Sequence, residues 1–155
     1  MEPTENIILV FIMNILFLTH QTYCQTVTAE ISYGELIDKI TILNIKSQRI
    51  INEEKLKNVR TEFASLQDTC NRYIGSREDI AQLQALLQKI NEELWDIEDA
   101  IRVKERKQEF DAEFIAIARS VYITNDRRCA VKKQIDVLLG SHLTEEKSYE
   151  KLTCN

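Results

Sequence analysis

The sequence is nearly empty of chain-breaking residues: it has one proline and three glycines in 155 residues. A β-rich fold needs turn residues roughly every eight to twelve positions, so this scarcity excludes sandwiches and barrels and points to long helices. Histidine is equally scarce. His20 and His142 are the two present, too few to build a His-based triad or metal centre. Neither G-x-x-x-x-G-K-[ST] nor G-x-G-x-x-G occurs, so no nucleotide cradle is encoded, and neither a metal nor a cofactor is expected. Positive charge is not in excess, with 20 Lys and Arg against 25 Asp and Glu for a net charge of −5. A nucleic-acid partner, which calls for a basic stripe, is therefore not expected. The cysteines Cys24, Cys70, Cys129 and Cys154 are widely spaced and form no C-x-x-C pair, which argues against a zinc site or a disulfide framework. Cys70 and Cys129 fall at or beside apolar helical positions and read as small buried hydrophobes.

Long apolar runs are also missing, apart from the twelve-residue stretch Ile7 to Leu18, IILVFIMNILFL. A span needs about twenty such residues, so the stretch matches the apolar region of an export signal, with Thr22-x-Cys24 as small residues before a cleavage point at Gln25. The preceding Glu2 and Glu5 replace the usual basic residues, so an uncleaved apolar anchor or an upstream start remain alternatives. If the signal is genuine the protein is exported or membrane-anchored, with membrane contact through this segment alone; otherwise it is cytoplasmic. The chain divides into a leader at 1–24, a helical domain at 25–143 and a polar tail at 144–155, which is expected to be loose.

What the sequence does contain is helical patterning, with 44% hydrophobic and 29% charged residues. From Ser32 onward apolar residues recur at steps of three and four. The first run is Leu36, Ile40, Leu43, Ser47, Ile50, opened by the capping box Ser32-Tyr33-Gly34-Glu35. The second is Leu56, Val59, Phe63, Leu66, Cys70, Tyr73, which breaks phase with the first and places a turn at Ile51–Asn52, with Asn52 as N-cap. Gly75 closes it, and Ser76-x-x-Asp79 predicts a capping box for a third helix with the face Leu83, Leu87, Ile90, Leu94, Ile97, Ile101. The cations Arg102, Lys104, Arg106 and Lys107 suit that helix's C-terminus. Asp111 caps a fourth helix with the face Phe114, Ile117, Val121, Thr124, Arg128, Val131, Ile135, Leu138, ended by Gly140. Thr144-Glu145-Glu146 predicts one short final turn. Four helices joined by short connections predict an all-α fold, an antiparallel helical bundle.

The fourth face is interrupted. In SVYITNDRRCAVKK, residues 120–133, the spacing makes Thr124 and Arg128 core positions. If the third and fourth helices form a hairpin, residues whose numbers add to about 219 lie opposite one another, which sets Thr124 across from Trp95 and Arg128 across from Asn91. Asp38, Lys39 and Asn44 of the first helix fall at comparable heights. A buried arginine needs a partner, because an unpaired buried charge costs about 3–5 kcal/mol; Asp96 and Asp126 are the candidates. Trp95 is placed to lay its ring along the guanidinium. The cluster reads either as a polar lock that fixes helix register or as a pocket for an anionic or sugar-like ligand. The further carboxylates at Glu92, Glu93, Glu98 and Asp99 read as a solvated face.

Three stretches, ISYGELIDKITILNIKSQRI, ELWDIEDAIR and ARSVYITNDRRCAVKKQIDVLLGS, followed by EEKSY, resemble an uncharacterised family of small bacterial helical proteins, a domain of unknown function. The resemblance spans roughly Ala29 to Tyr149. It implies motif residues at Gly34, Glu35, Asp38, Lys39, Trp95, Asp96, Glu98, Asp99, Arg102, Tyr122, Asn125, Asp126 and Arg128. It also implies a start close to the S-x-G-E-L-I-D-K segment, which favours the upstream-start alternative for the leader. Relatives that look like modules beside glycosyl-transfer domains hint at surface-polysaccharide pathways.

Two functions follow. The first is a non-catalytic interaction or accessory module that binds a partner protein or self-associates through its helical faces. The second is a small helical enzyme or ligand-binding protein using Asp38, Lys39, Trp95, Asp96, Asp99, Arg102, Asn125, Asp126 and Arg128. The absence of a recognised catalytic constellation favours the first.

Overall fold

Why each helix starts where it does can be traced residue by residue in the computed structural model, which describes residues 26–146 and 148. The leader, its proposed cleavage point, Cys24 and Cys154 lie outside the described residues. The four helices are α1 (Tyr33–Arg49), α2 (Glu53–Tyr73), α3 (Glu78–Lys107) and α4 (Ala112–Leu139), all within the compact unit that begins at Ile31. The fold is all-α, as the patterning predicts, and no described helix is long and apolar enough to cross a membrane.

Three of the four N-termini are capped by the residue that the sequence designates. Ser32 Oγ accepts from Glu35 N–H at 3.2 Å, Asn52 Oδ1 from Lys55 N–H at 2.9 Å, and Asp111 Oδ1 from Phe114 N–H at 2.9 Å. Each satisfies one of the amide donors that a helix start leaves orphaned. Replacing Asn52 by Ala is expected to cost about 1 kcal/mol, read as a drop in urea midpoint at unchanged slope. The Ser76 box does not form. Arg77 takes the N-cap position of α3 and makes no side-chain cap, since a guanidinium has no acceptor for the first-turn amides; the Asp79 carboxylate is engaged by that guanidinium at 2.6 Å and by Ile80 N–H at 3.0 Å. Gly75 and Gly140 follow α2 and α4 at positive φ (68° and 62°), where a Cβ would be strained. The described residues after Gly140 form no further helical turn.

α1 runs antiparallel to α2 and to α4, and α3 runs antiparallel to α4, so α1 and α3 lie parallel. Lys39 meets Glu62 across the α1–α2 hairpin, Lys104 meets Asp111 at the tip of the α3–α4 hairpin, and Glu35 and Asp38 of α1 meet Lys132 and Arg128 of α4. The α3–α4 register agrees with the hairpin arithmetic, since Thr124 and Arg127 both reach Glu93. The packing is not that of a symmetric bundle, however. α1 touches all three other helices and α3 packs against α4, whereas α2 packs against α1 alone among the helices.

This central position explains why α1 is buried on two faces. Leu36 and Ile40 pack with Cys70 under α2. Ile37 joins Leu87, Ile90, Leu94, Val131 and Ile135 in the main core between α1, α3 and α4. The stripe Leu36–Ile40–Leu43 is buried as read from the sequence, but Ile37 and Ile45 are buried as well. At the other extreme, Tyr73 and Leu138 are exposed rather than in the core, at 65% and 46%.

Candidate functional site

Arg128 projects from the middle of α4 toward α1. Its Nε donates to Asp38 Oδ1 at 2.9 Å and its Nη2 pairs with Asp38 Oδ2, a two-pronged grip suited to the planar guanidinium. Asn125, one turn earlier, accepts from Nη1 at 3.3 Å. The Asp38 side chain is fully buried, while that of Arg128 keeps 27% exposure. Asn91 of α3 donates to Asp38 Oδ1 and to Thr41 Oγ1, both at 2.8 Å. Thr41 in turn donates to the Asp38 carbonyl at 2.8 Å. Three helices thus meet at one carboxylate, and among the described residues every buried side-chain nitrogen or oxygen has a partner. Hydrogen bonding to Asp38 raises the Arg128 pKa above its ordinary value against the opposing effect of burial.

One turn toward the C-terminus of α4, Lys132 is buried and bridges Glu35 of α1, at 2.6 Å, and Glu145 beyond α4. Burial opposes its charge, but Glu145 and Glu35 more than offset this and raise its pKa. The stabilisation from Lys132 is therefore complete below the ordinary lysine pKa and is lost as pH climbs through the raised value. Asp136, also buried, accepts from Gly34 N–H at 2.7 Å. A carboxylate from α4 thereby satisfies an amide in the positive first turn of α1.

Arg128 and Asn125 form the wall between two clefts. The larger, about 450 Å³, opens among α1, α3 and α4; Ile42, Ile45 and Leu94 make its apolar lining, and Trp95, Asp99, Arg102, Asn91, Asn125 and Arg128 supply polar or aromatic groups. The smaller, about 310 Å³, is almost wholly polar and is lined by Glu35, Cys129, Lys132 and Glu145 beside the shared pair. Of the nine residues nominated from sequence, Trp95, Asp99, Arg102, Asn125 and Arg128 line the larger cleft, and Asp38 lies directly behind Arg128. The other three point elsewhere. Lys39 pairs with Glu62 on the outer α1–α2 surface, Asp96 pairs with Arg49, and Asp126 is exposed on α4. Asp38 rather than Asp96 or Asp126 is the partner of Arg128. The guanidinium over the Trp95 ring, 5.7 Å from its centroid, is that of Arg49.

A family model described as a family of unknown function, DUF6165, matches residues 27–154. The chain belongs to that family. No curated protein and no solved structure matches it. The match takes in all four helices of this DUF6165 member and both clefts, so the polar cluster sits inside the family domain.

Sequence reasoning missed Gly34, Asp136 and Lys132 as parts of the α1–α4 contact in this DUF6165 chain. A glycine in the first turn of a strong helix was the available signal, since glycine is unfavourable there unless another backbone approaches closely. Cys70 is buried as expected, and burial raises its thiol pKa; Cys129 is half-buried against the smaller cleft. Among the described residues no three His, Cys, Asp or Glu side chains converge as metal ligands.

Proposed function

We propose that the protein is a non-catalytic helical module whose larger cleft holds a neutral, hydroxyl-rich ligand of sugar-like chemistry. The observation that carries this reading is that Trp95 shares the cleft with Asp99, Arg102, Asn91, Asn125 and Arg128. An aromatic face beside planar amide, carboxylate and guanidinium groups offers apolar contact to ring C–H groups and both donors and acceptors to hydroxyls. A volume of about 450 Å³ falls within the usual range of small-ligand pockets, about 300–1,000 Å³. Charge argues for a neutral ligand over an anion. Arg128 is already paired with Asp38, Arg102 with Glu98 at 3.1 Å, and Asp99 adds a further negative charge to the cleft. A sugar-like ligand also fits a role in surface-polysaccharide or glycosyl-transfer pathways, where such a module would hold substrate for a separate enzyme.

The chain has one tryptophan, so intrinsic fluorescence reports on the cleft directly. Titration with neutral mono- and oligosaccharides is expected to give saturable changes with Kd near 1 mM, about −4 kcal/mol. Asn125→Ala should weaken binding by about tenfold, the equivalent of one lost hydrogen bond. A response confined to sugar phosphates would replace this reading with the anionic one. No saturable response to either class would end both.

A further inference from the structure

The α3–α4 hairpin continues beyond the end of α1. Arg49, the last residue of α1, meets Asp96; from 97 to 121 the hairpin has no buried residue. Apolar side chains continue through this arm regardless, and Val103, Phe110 and Ile115 are 42%, 54% and 57% exposed. One side of the arm carries a groove of about 530 Å³ between the two helices, floored by Ile97, Ala100 and Ile117 and rimmed by Glu93 and Asp96. The side of α3 that bears Trp95 and Arg102 faces the other cleft.

The charge of α3 changes sign at this groove. Glu92, Glu93, Asp96, Glu98 and Asp99 precede Ala100, whereas Arg102, Lys104, Arg106 and Lys107 follow it; Glu105 and, at the far edge of the groove, Lys89 are the exceptions. We infer that the groove is filled by the same face of a second copy, with the two α3 helices antiparallel and Ala100 of each at the two-fold axis. Residues equidistant from Ala100 then face each other. Ile97 meets Val103 and Glu93 meets Lys107, so an apolar group opposes an apolar group and an acid opposes a base, while Lys104 stays with Asp111 and Glu113 of its own chain. A parallel arrangement would put like charges together. What the groove requires of its occupant is a small apolar centre, cations on one side and anions on the other, and α3 itself supplies all three. The contact runs about 21 Å along each helix at 1.5 Å per residue. It converts two half-exposed hairpins into one four-helix layer whose seams are covered.

The test is sedimentation of the full chain with two variants at the axis. Wild type is expected at twice the 18.1 kDa chain mass. Ala100→Glu and Ala100→Lys each set like charges against themselves and should sediment as monomers with unchanged helical circular dichroism. Mixed in equal amounts, they should regain the dimer. A monomeric wild type, a dimer that neither variant disturbs, or a mixture that stays monomeric would each overturn the inference. The Trp95 fluorescence response belongs to the other side of α3, so its failure and the failure of the dimer are separate results.

Discussion

Replacing Arg128 by leucine is expected to lower stability by about 3–5 kcal/mol, the cost of leaving a buried charge without its partner. The asymmetry of the pair decides the size of the effect. The Asp38 side chain has no exposure, while Arg128 retains 27%. Once the guanidinium is gone the carboxylate cannot reach water, and a single Asn91 amide remains as its nearest side-chain donor. For a domain of this size the loss corresponds to a fall in Tm of about 10 °C or more. Adding Asp38→Asn to Arg128→Leu removes the stranded charge and should recover a large part of the deficit, because the two residues act as one unit. A single variant that melts within about a degree of wild type would show that Asp38 and Arg128 do not hold α1 and α4 together. A double variant no better than the single would remove the buried carboxylate as the cause.

Gly34→Ala is expected to be the second large effect, and opposite in sign to helix propensity. Alanine in a helix is favoured over glycine by about 1 kcal/mol. A Cβ at Gly34 would lie 2.5 Å from the Lys132 carbonyl oxygen and 3.1 Å from Asp136 Oδ1. The nearer atom is backbone inside α4 and cannot rotate away. The start of α1 would have to lift from α4, lengthening the Gly34–Asp136 hydrogen bond and loosening the Lys132–Glu35 bridge beside it. Strain of this kind costs about 1–3 kcal/mol and occasionally more, so a net loss of about 2 kcal/mol is expected in urea unfolding. A stabilised variant would mean that α1 does not need this close approach.

Helix number, the break at Asn52, the Asp111 cap and the stop at Gly140 were all legible because each is a local signal: periodicity, a capping side chain, a residue tolerant of positive φ. The α3–α4 register was legible too, since two helices joined by a four-residue turn have one way to pair. The partner of Arg128 was not. Asp38 is ninety positions away in sequence, and choosing it over Asp96 requires knowing that α1 lies against α4. Asp96 turns instead to Arg49, which one-dimensional spacing cannot reveal. The stripe on α1 was read as one face because nothing local indicates that a helix is sandwiched. Ile37 and Ile45 fill the second side only because α2 and the α3–α4 pair sit on different sides of α1.

The attachment of α2 has a dynamic consequence. Its sole helical neighbour is α1, through a patch centred on Leu36, Ile40 and Cys70, and the main core closes without any residue from α2 itself. Detaching α2 therefore costs less than opening the remaining three helices, which makes it the element that unfolds locally while the rest stays native. Each such excursion uncovers the Cys70 thiol and bares a strip of α1, leaving the grip of Arg128 on Asp38 intact.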